Sequence, residues 1–230
     1  MSTYRTIFQK KHTFLAVVHV EGGRQALRNA KIALQGGADG VFLINHGEVA
    51  YHSLIEIYQM IRENLPSLWV GINCLDVGTA AIIYIPTNTA GLWVDNAYIS
   101  EGENPTFRAK QFLNLRKDRN WQGLYFGGVA FKYQKEVVDV AKVARLAMPF
   151  VDVITTSGLG TGQPADIGKI RTMKDAIGDH PLAIASGVTP ENVSQYMPHA
   201  DCFLVATGIS TSHTELDPQR VRALTQALGN

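Results

Sequence analysis

Two kinds of apolar stretch take turns along the chain. Short runs rich in β-branched and aromatic residues read "FLAVVHV" from Phe14, "GVFLIN" from Gly40, "LWVGINC" from Leu68 and "GLWVDNA" from Gly91. They continue as "GLYFGGVA" from Gly123, "VDVITTS" from Val151, "LAIASG" from Leu182 and "CFLVATG" from Cys202. Their apolarity is continuous, the pattern of parallel strands covered on both faces. Between them the apolar residues fall at helical spacing. "RQALRNAKIALQGG" puts Ala26, Leu27, Ala30, Ala33 and Leu34 on one face and stops at Gly-Gly. "LIEIYQMIRENLP", "FRAKQFLNLRKDR", "KEVVDVAKVARLAMP", "DIGKIRTMKDAIG" and "DPQRVRALTQALG" repeat the amphipathic design. "TAAIIYIPT", from Thr79, is the weakest helix, because its β-branched run fits a strand as well.

Strand and helix alternate at roughly 20–30 residues per unit with no linker, which predicts an α/β protein: a single (β/α)8 TIM barrel over residues 1–230. An open doubly wound sheet is the alternative, and it rarely needs eight parallel strands. In a barrel the active face lies at the C-terminal ends of the strands. The informative residues therefore follow each run: His19 and Glu21, Asn45 to Glu48, Asn73, Asp95 and Asn96, Lys132, Thr155 to Thr161, Ser186 to Thr189, and Thr207 to Ser210.

Composition narrows the partners. Hydrophobic residues are 46% and charged ones 18% of the 230, enough to bury a sizeable core, and the net charge is +1. That balance argues against a nucleic-acid groove or an anionic membrane surface. Cys74 and Cys202 sit inside apolar runs, as small core residues of a reducing compartment do. "MSTYRTIFQKKHTF" has no apolar signal region, and no apolar stretch reaches the roughly 20 residues of a membrane helix. A cytoplasmic protein without an integral membrane segment is expected, and homo-oligomerisation is left open.

The seventh and eighth strand ends, "ASGVTPENV" and "VATGIS", are built from Gly, Ser and Thr. Loops at these places in barrels often hold phosphate on backbone N–H groups, where a Cβ would keep the anion away. Ser186, Gly187, Thr189, Thr207 and Gly208 are the candidate phosphate residues, with Thr189 capping a helix that Pro190 opens. Taken singly, each loop is equally a tight turn. "SGLGTGQPAD", after the sixth strand, is either a lid or a solvated turn.

The stretch from Val151 to Ser210 resembles the BtpA/SgcQ family of ribulose-phosphate-binding barrels. The resemblance extends more weakly upstream through "VVHV", "GGADGVFLINHGEVAY", "VGINCLD" and "VDNA", and downstream to "DPQRVRAL". It implies a TIM barrel that binds a phosphorylated small molecule. It places His19, Asn45, Asn73, Asp95 and Lys132 at polar strand ends of the family pattern, Gly158, Gly160, Thr161 and Gly162 in its Gly-rich sixth loop, and Ser186, Gly187, Thr189 and Thr207 at its phosphate site. Leu159, Gly128 and Ala130 depart from it, standing where acidic or histidine residues are usual. The family's founding cyanobacterial member is linked to photosystem I accumulation, so a non-catalytic, complex-biogenesis role stands beside the enzymatic one.

Acid–base chemistry on a sugar phosphate needs a proton acceptor and donor in one pocket. Asp95, His19 and Lys132 are the catalytic candidates, each also readable as a hydrogen-bonded or surface residue. Asn45, Asn73, Gly160, Thr161 and Gly162 are the candidate substrate-binding residues. His46, Glu48 and His52 span a strand end and a helix start, without the common face a metal would need. No metal and no cofactor is expected. The reading is an isomerase or lyase on a phosphorylated substrate, with a phosphate-binding, non-catalytic protein as the alternative.

Overall fold

The computed structural model describes residues 3–229. Its strands are β1 (Thr13–Val20), β2 (Gly40–Asn45), β3 (Trp69–Asn73), β4 (Gly91–Val94), β5 (Leu124–Gly128), β6 (Val153–Thr156), β7 (Leu182–Ala185) and β8 (Cys202–Val205). Each pairs in parallel with the next, and β8 pairs with β1, so the sheet closes in chain order. The expected (β/α)8 barrel is borne out.

Strand parity decides which residues reach the site. Side chains alternate across a strand, and Leu15 and Val17, Phe42 and Ile44, Leu124 and Phe126, Ala183 and Ala185, and Cys202 and Leu204 all belong to one buried cluster inside the barrel. The intervening residues, Ala16, Val41, Leu43, Tyr125 and Phe203 among them, belong to the larger cluster beneath the helices. Continuing the inner row by two residues leads from Val17 to His19, from Ile44 to His46, from Trp93 to Asp95 and from Ala185 to Gly187. Apolar residues below and polar ones above thus come from one alternation.

The outer layer is α2 (Gly23–Gln35), α3 (Tyr51–Asn64), α4 (Ala81–Tyr84), α5 (Phe107–Asp118), α6 (Val140–Ala147), α7 (Ile167–Ile177), α8 (Val193–Tyr196) and α9 (Pro218–Ala227). The ambiguous "TAAIIYIPT" is helical: a 3-10 turn over Gly78–Ala80 runs into α4, with Ala81 and Ile82 buried. The helix expected to start at Pro190 starts instead at Val193. Thr189 caps no helix; its hydroxyl accepts from the Glu191 N–H in a local turn.

An element the pattern did not signal closes the N-terminal end of the barrel. The helix α1 (Thr3–Ile7) and Phe8 that follows it send Tyr4 and Phe8 into the inner cluster, with Phe8 edge-on to Trp69 at 5.3 Å. The Tyr4 hydroxyl donates to Thr13 Oγ1 at 2.7 Å, and Asp201 pairs with Arg5 and with Lys174. The barrel is therefore plugged at one end and open at the other.

Candidate functional site

A cavity of about 350 Å³ opens at the C-terminal ends of the strands. Val17, Ile44, Trp93 and Leu204 form its floor, and His19, Asp95, Lys132, Thr161, Gly162, Ser186, Gly187, Thr207 and Gly208 are in its wall. Nine residues expected from sequence thus share one pocket. Asn45, Asn73, Gly160 and Thr189 do not line it.

Their bonds explain why. Asn45 is buried and committed to the fold: its Nδ2 donates to the Val49 carbonyl and to Asp76, and its Oδ1 accepts from the Leu75 N–H at 2.6 Å. Asn73 donates to Asp95 Oδ1 at 3.1 Å, which makes it a positioning residue for that carboxylate. Gly160 offers its carbonyl to the Ser186 hydroxyl at 2.8 Å.

Asp95 is held mostly out of solvent, and burial raises its carboxyl above the usual range, against the Asn73 hydrogen bond and the attraction of Lys132. Lys132 donates from Nζ to Thr161 Oγ1 at 3.1 Å, and its N–H donates to Ser157 Oγ. Tyr133, next to it, meets the same threonine hydroxyl at 3.3 Å. The loops after β5 and β6 are thereby joined at the rim. Lys169 ties them from behind, donating to the Ala130 and Ser157 carbonyls.

Three imidazoles crowd the other side. His19 stacks on His213 with ring centroids 4.1 Å apart and planes 25° apart, and His46 meets His213 edge-on at 4.8 Å. Burial and these two neighbours push His19 down to about 4, so it is neutral at pH 7. Its Nδ1 lies 3.1 Å from the His213 carbonyl, which only accepts, so Nδ1 carries the proton and Nε2 the lone pair. Among the described residues no group of three or more His, Cys, Asp or Glu is arranged to hold a metal ion.

His46, placed on the active face but given no ligand role, lines the cavity, and His213 was missed altogether. His213 comes from the loop after β8, which α2 grips: Gln25 and Asn29 both donate to the Thr214 carbonyl, Asn29 accepts from the Leu216 N–H, and Arg28 pairs with Glu215. A histidine eight residues beyond a strand end carries no local signal. The inner-row parity that selects His19 selects His46 too.

Gly187 and Gly208, expected from sequence to leave an anion room, have a packing role. A Cβ on Gly187, whose φ is +68°, would sit 2.2 Å from the Gln163 carbonyl oxygen. One on Gly208 would sit 1.9 Å from that of Val188. The loops after β6, β7 and β8 pack backbone against backbone at these points.

Comparison with known proteins adds a partial family match. Residues 126–230 match the BtpA family. The BtpA match runs from β5 to the end and so contains Lys132 and both glycine-bearing loops. An uncharacterized protein of Thermococcus kodakarensis is 27% identical over 225 residues, covering 87% of this chain and 84% of its own. Among solved structures, (S)-3-O-geranylgeranylglyceryl phosphate synthase from Thermoplasma acidophilum, in complex with sn-glycerol-1-phosphate, superposes with a TM-score of 0.72 at 13% identity, covering 99% of this chain and 98% of its own. Phosphoribosyl anthranilate isomerase from Thermus thermophilus gives 0.63 at 13% identity, with 94% and 98% covered. At such identities these neighbours establish the barrel, and the fold alone. No helix among the described residues is long and apolar enough to cross a membrane.

Proposed function

We propose that this barrel is an enzyme that binds a phosphorylated sugar or related phosphorylated small molecule and moves protons on it, in the manner of an isomerase or lyase. The observation that carries the reading is one cavity holding Asp95 and Lys132 together with Ser186, Gly187, Thr207 and Gly208. The phosphate would sit at the β7 and β8 loops, as the BtpA resemblance implies and as the glycerol-phosphate complex of a structural neighbour supports.

Asp95 is the base. Its carboxyl, raised by burial, takes a proton more readily than an exposed aspartate. Lys132 supplies the positive charge that steadies an enolate-like intermediate as the proton leaves. His19, neutral at pH 7, is a poor proton donor there and a weak base. It serves as a hydrogen-bonding wall, and Asn73 orients Asp95 from below.

The test is turnover and binding of a panel of sugar phosphates beside the same sugars without phosphate. Asp95→Asn should abolish turnover while phosphate-dependent binding survives. It should also melt higher than the parent at neutral pH. The parent's folded state holds the Asp95 proton more tightly than the unfolded chain does, so its ionisation costs stability as pH rises through the raised value. Full turnover by Asp95→Asn would refute the assignment. Binding without turnover in the parent would favour the non-catalytic, ligand-binding reading.

A further inference from the structure

The mouth holds polar atoms that the fold leaves unspent. His46 Nε2 and Trp93 Nε1 are both buried without a hydrogen-bond partner in the chain, and both residues line the cavity. Trp93 is only 4% exposed. Buried polar groups are normally satisfied, and an unsatisfied one costs about 1–3 kcal/mol. One nitrogen is always a donor, since indole N–H cannot accept, and the imidazole nitrogen takes either role. Val17, Ile44 and Leu204 line the same cavity. Together they form an apolar slot with a few fixed hydrogen-bonding points, flanked by the faces and edges of imidazole rings.

The charge inventory sets what can enter. Among the described residues the lining has one ammonium, Lys132, and one carboxylate, Asp95. Burial, with His213 and His46 beside it, holds His19 neutral. A second anionic group on the ligand would find no second ammonium and no guanidinium among these lining residues. Closing in the order β7, β8, β1, β2 sets the histidine side directly beside the glycine-bearing loops, with Asp95 and Lys132 across from it in the loops after β4 and β5.

Resting on the phosphate reading above, we propose that the ligand carries a single phosphate and, at its other end, an uncharged planar heteroaromatic ring that hydrogen-bonds His46 and Trp93 and packs against the imidazoles. Nucleoside monophosphates have this chemistry. Pentose bisphosphates and carboxylated sugar phosphates do not.

Calorimetric titration of the whole chain separates the two readings. The probes are inorganic phosphate, ribose 5-phosphate, a pentose bisphosphate, the common 5′-nucleoside monophosphates and the parent nucleosides. At least one monophosphate should bind roughly tenfold or more tighter than ribose 5-phosphate, the worth of about one added hydrogen bond. His46→Phe and Trp93→Phe each keep a ring and remove the nitrogen. Each should erase that gain and leave ribose 5-phosphate affinity within about twofold, a small fraction of the 1.4 kcal/mol that a tenfold change represents. His46→Phe should melt near the parent, whereas Trp93→Phe also removes ring volume packed against Phe42 and Phe131 and should melt lower, so its ligand readout is compared at a temperature where both proteins are folded. If ribose 5-phosphate binds and no nucleotide exceeds it, or the bisphosphate binds tighter, this inference fails and the phosphate reading stands. If neither phosphate nor ribose 5-phosphate binds, both fail together.

Discussion

Gly208→Ala isolates the backbone packing of the β7 and β8 loops. The added methyl would start 1.9 Å from the Val188 carbonyl oxygen and 3.1 Å from Thr189 Cα. Real Cβ atoms do not approach other heavy atoms closer than 3.0 Å, so the β7 and β8 loops must separate by about 1 Å. The obstacle is main chain, which cannot rotate aside as a side chain can. Overpacking of this kind costs about 1–3 kcal/mol, and a backbone obstacle belongs at the upper end. At roughly 2–4 °C per kcal/mol for a chain of this size, a cost of about 2–3 kcal/mol lowers the melting temperature by roughly 4–12 °C. Gly47→Ala is the control: its φ is +59°, but nothing lies within 4 Å of the added methyl. It should show only the left-handed strain, about 1–2 kcal/mol. Thermal and urea unfolding of both variants beside the parent provide the assay. If Gly208→Ala melts with the parent and loses only phosphate affinity, the glycine serves the ligand and the packing argument is wrong.

Two further outcomes follow from buried groups near the rim. His19 is depressed to about 4 in the fold against 6.5 when unfolded, so the unfolded chain takes up the proton first and stability falls as pH drops from 6.5 to about 4. His19→Asn, which can keep the bond to the His213 carbonyl, should flatten that window in pH-dependent melting; an unchanged slope would mean another group titrates there. Lys169→Met should cost about 1–3 kcal/mol by stranding the Ala130 and Ser157 carbonyls. Limited proteolysis should then cut the Tyr133–Val138 segment faster, and an unaltered digestion rate would show that the rim contacts of Lys132 and Tyr133 suffice.

What the sequence discloses about this protein depends on how far the cause of a feature lies along the chain. The barrel was legible because each strand carries its own signal, a continuous apolar run. His19 and Asp95 were legible for the same reason, each standing two residues beyond an inner-row residue, Val17 and Trp93. The helix α1 was not, because Tyr4 and Phe8 look like isolated surface aromatics until the open end of a closed barrel gives them somewhere to go. Asn45 misled because it stands at a strand end yet spends both its amide groups on Asp76, Val49 and Leu75, partners up to 31 residues away.

Gly187 and Gly208 show a subtler limit. A bare turn is the same string whether the missing Cβ makes room for an anion or for another loop. Only the approach of Gln163 to Gly187, and of Val188 to Gly208, separates the two readings. The two are not rivals in physical terms. Loops interlocked through their backbones hold their amides in fixed directions, and fixed dipoles stabilise an anion without reorganising when it arrives. The interlock then has a functional consequence: an alanine at either glycine should weaken ligand and fold together, whereas Thr207→Val, at an exposed hydroxyl in the cavity wall, should weaken the ligand alone. Equal losses of melting temperature in the Thr207 and Gly208 variants would break that distinction.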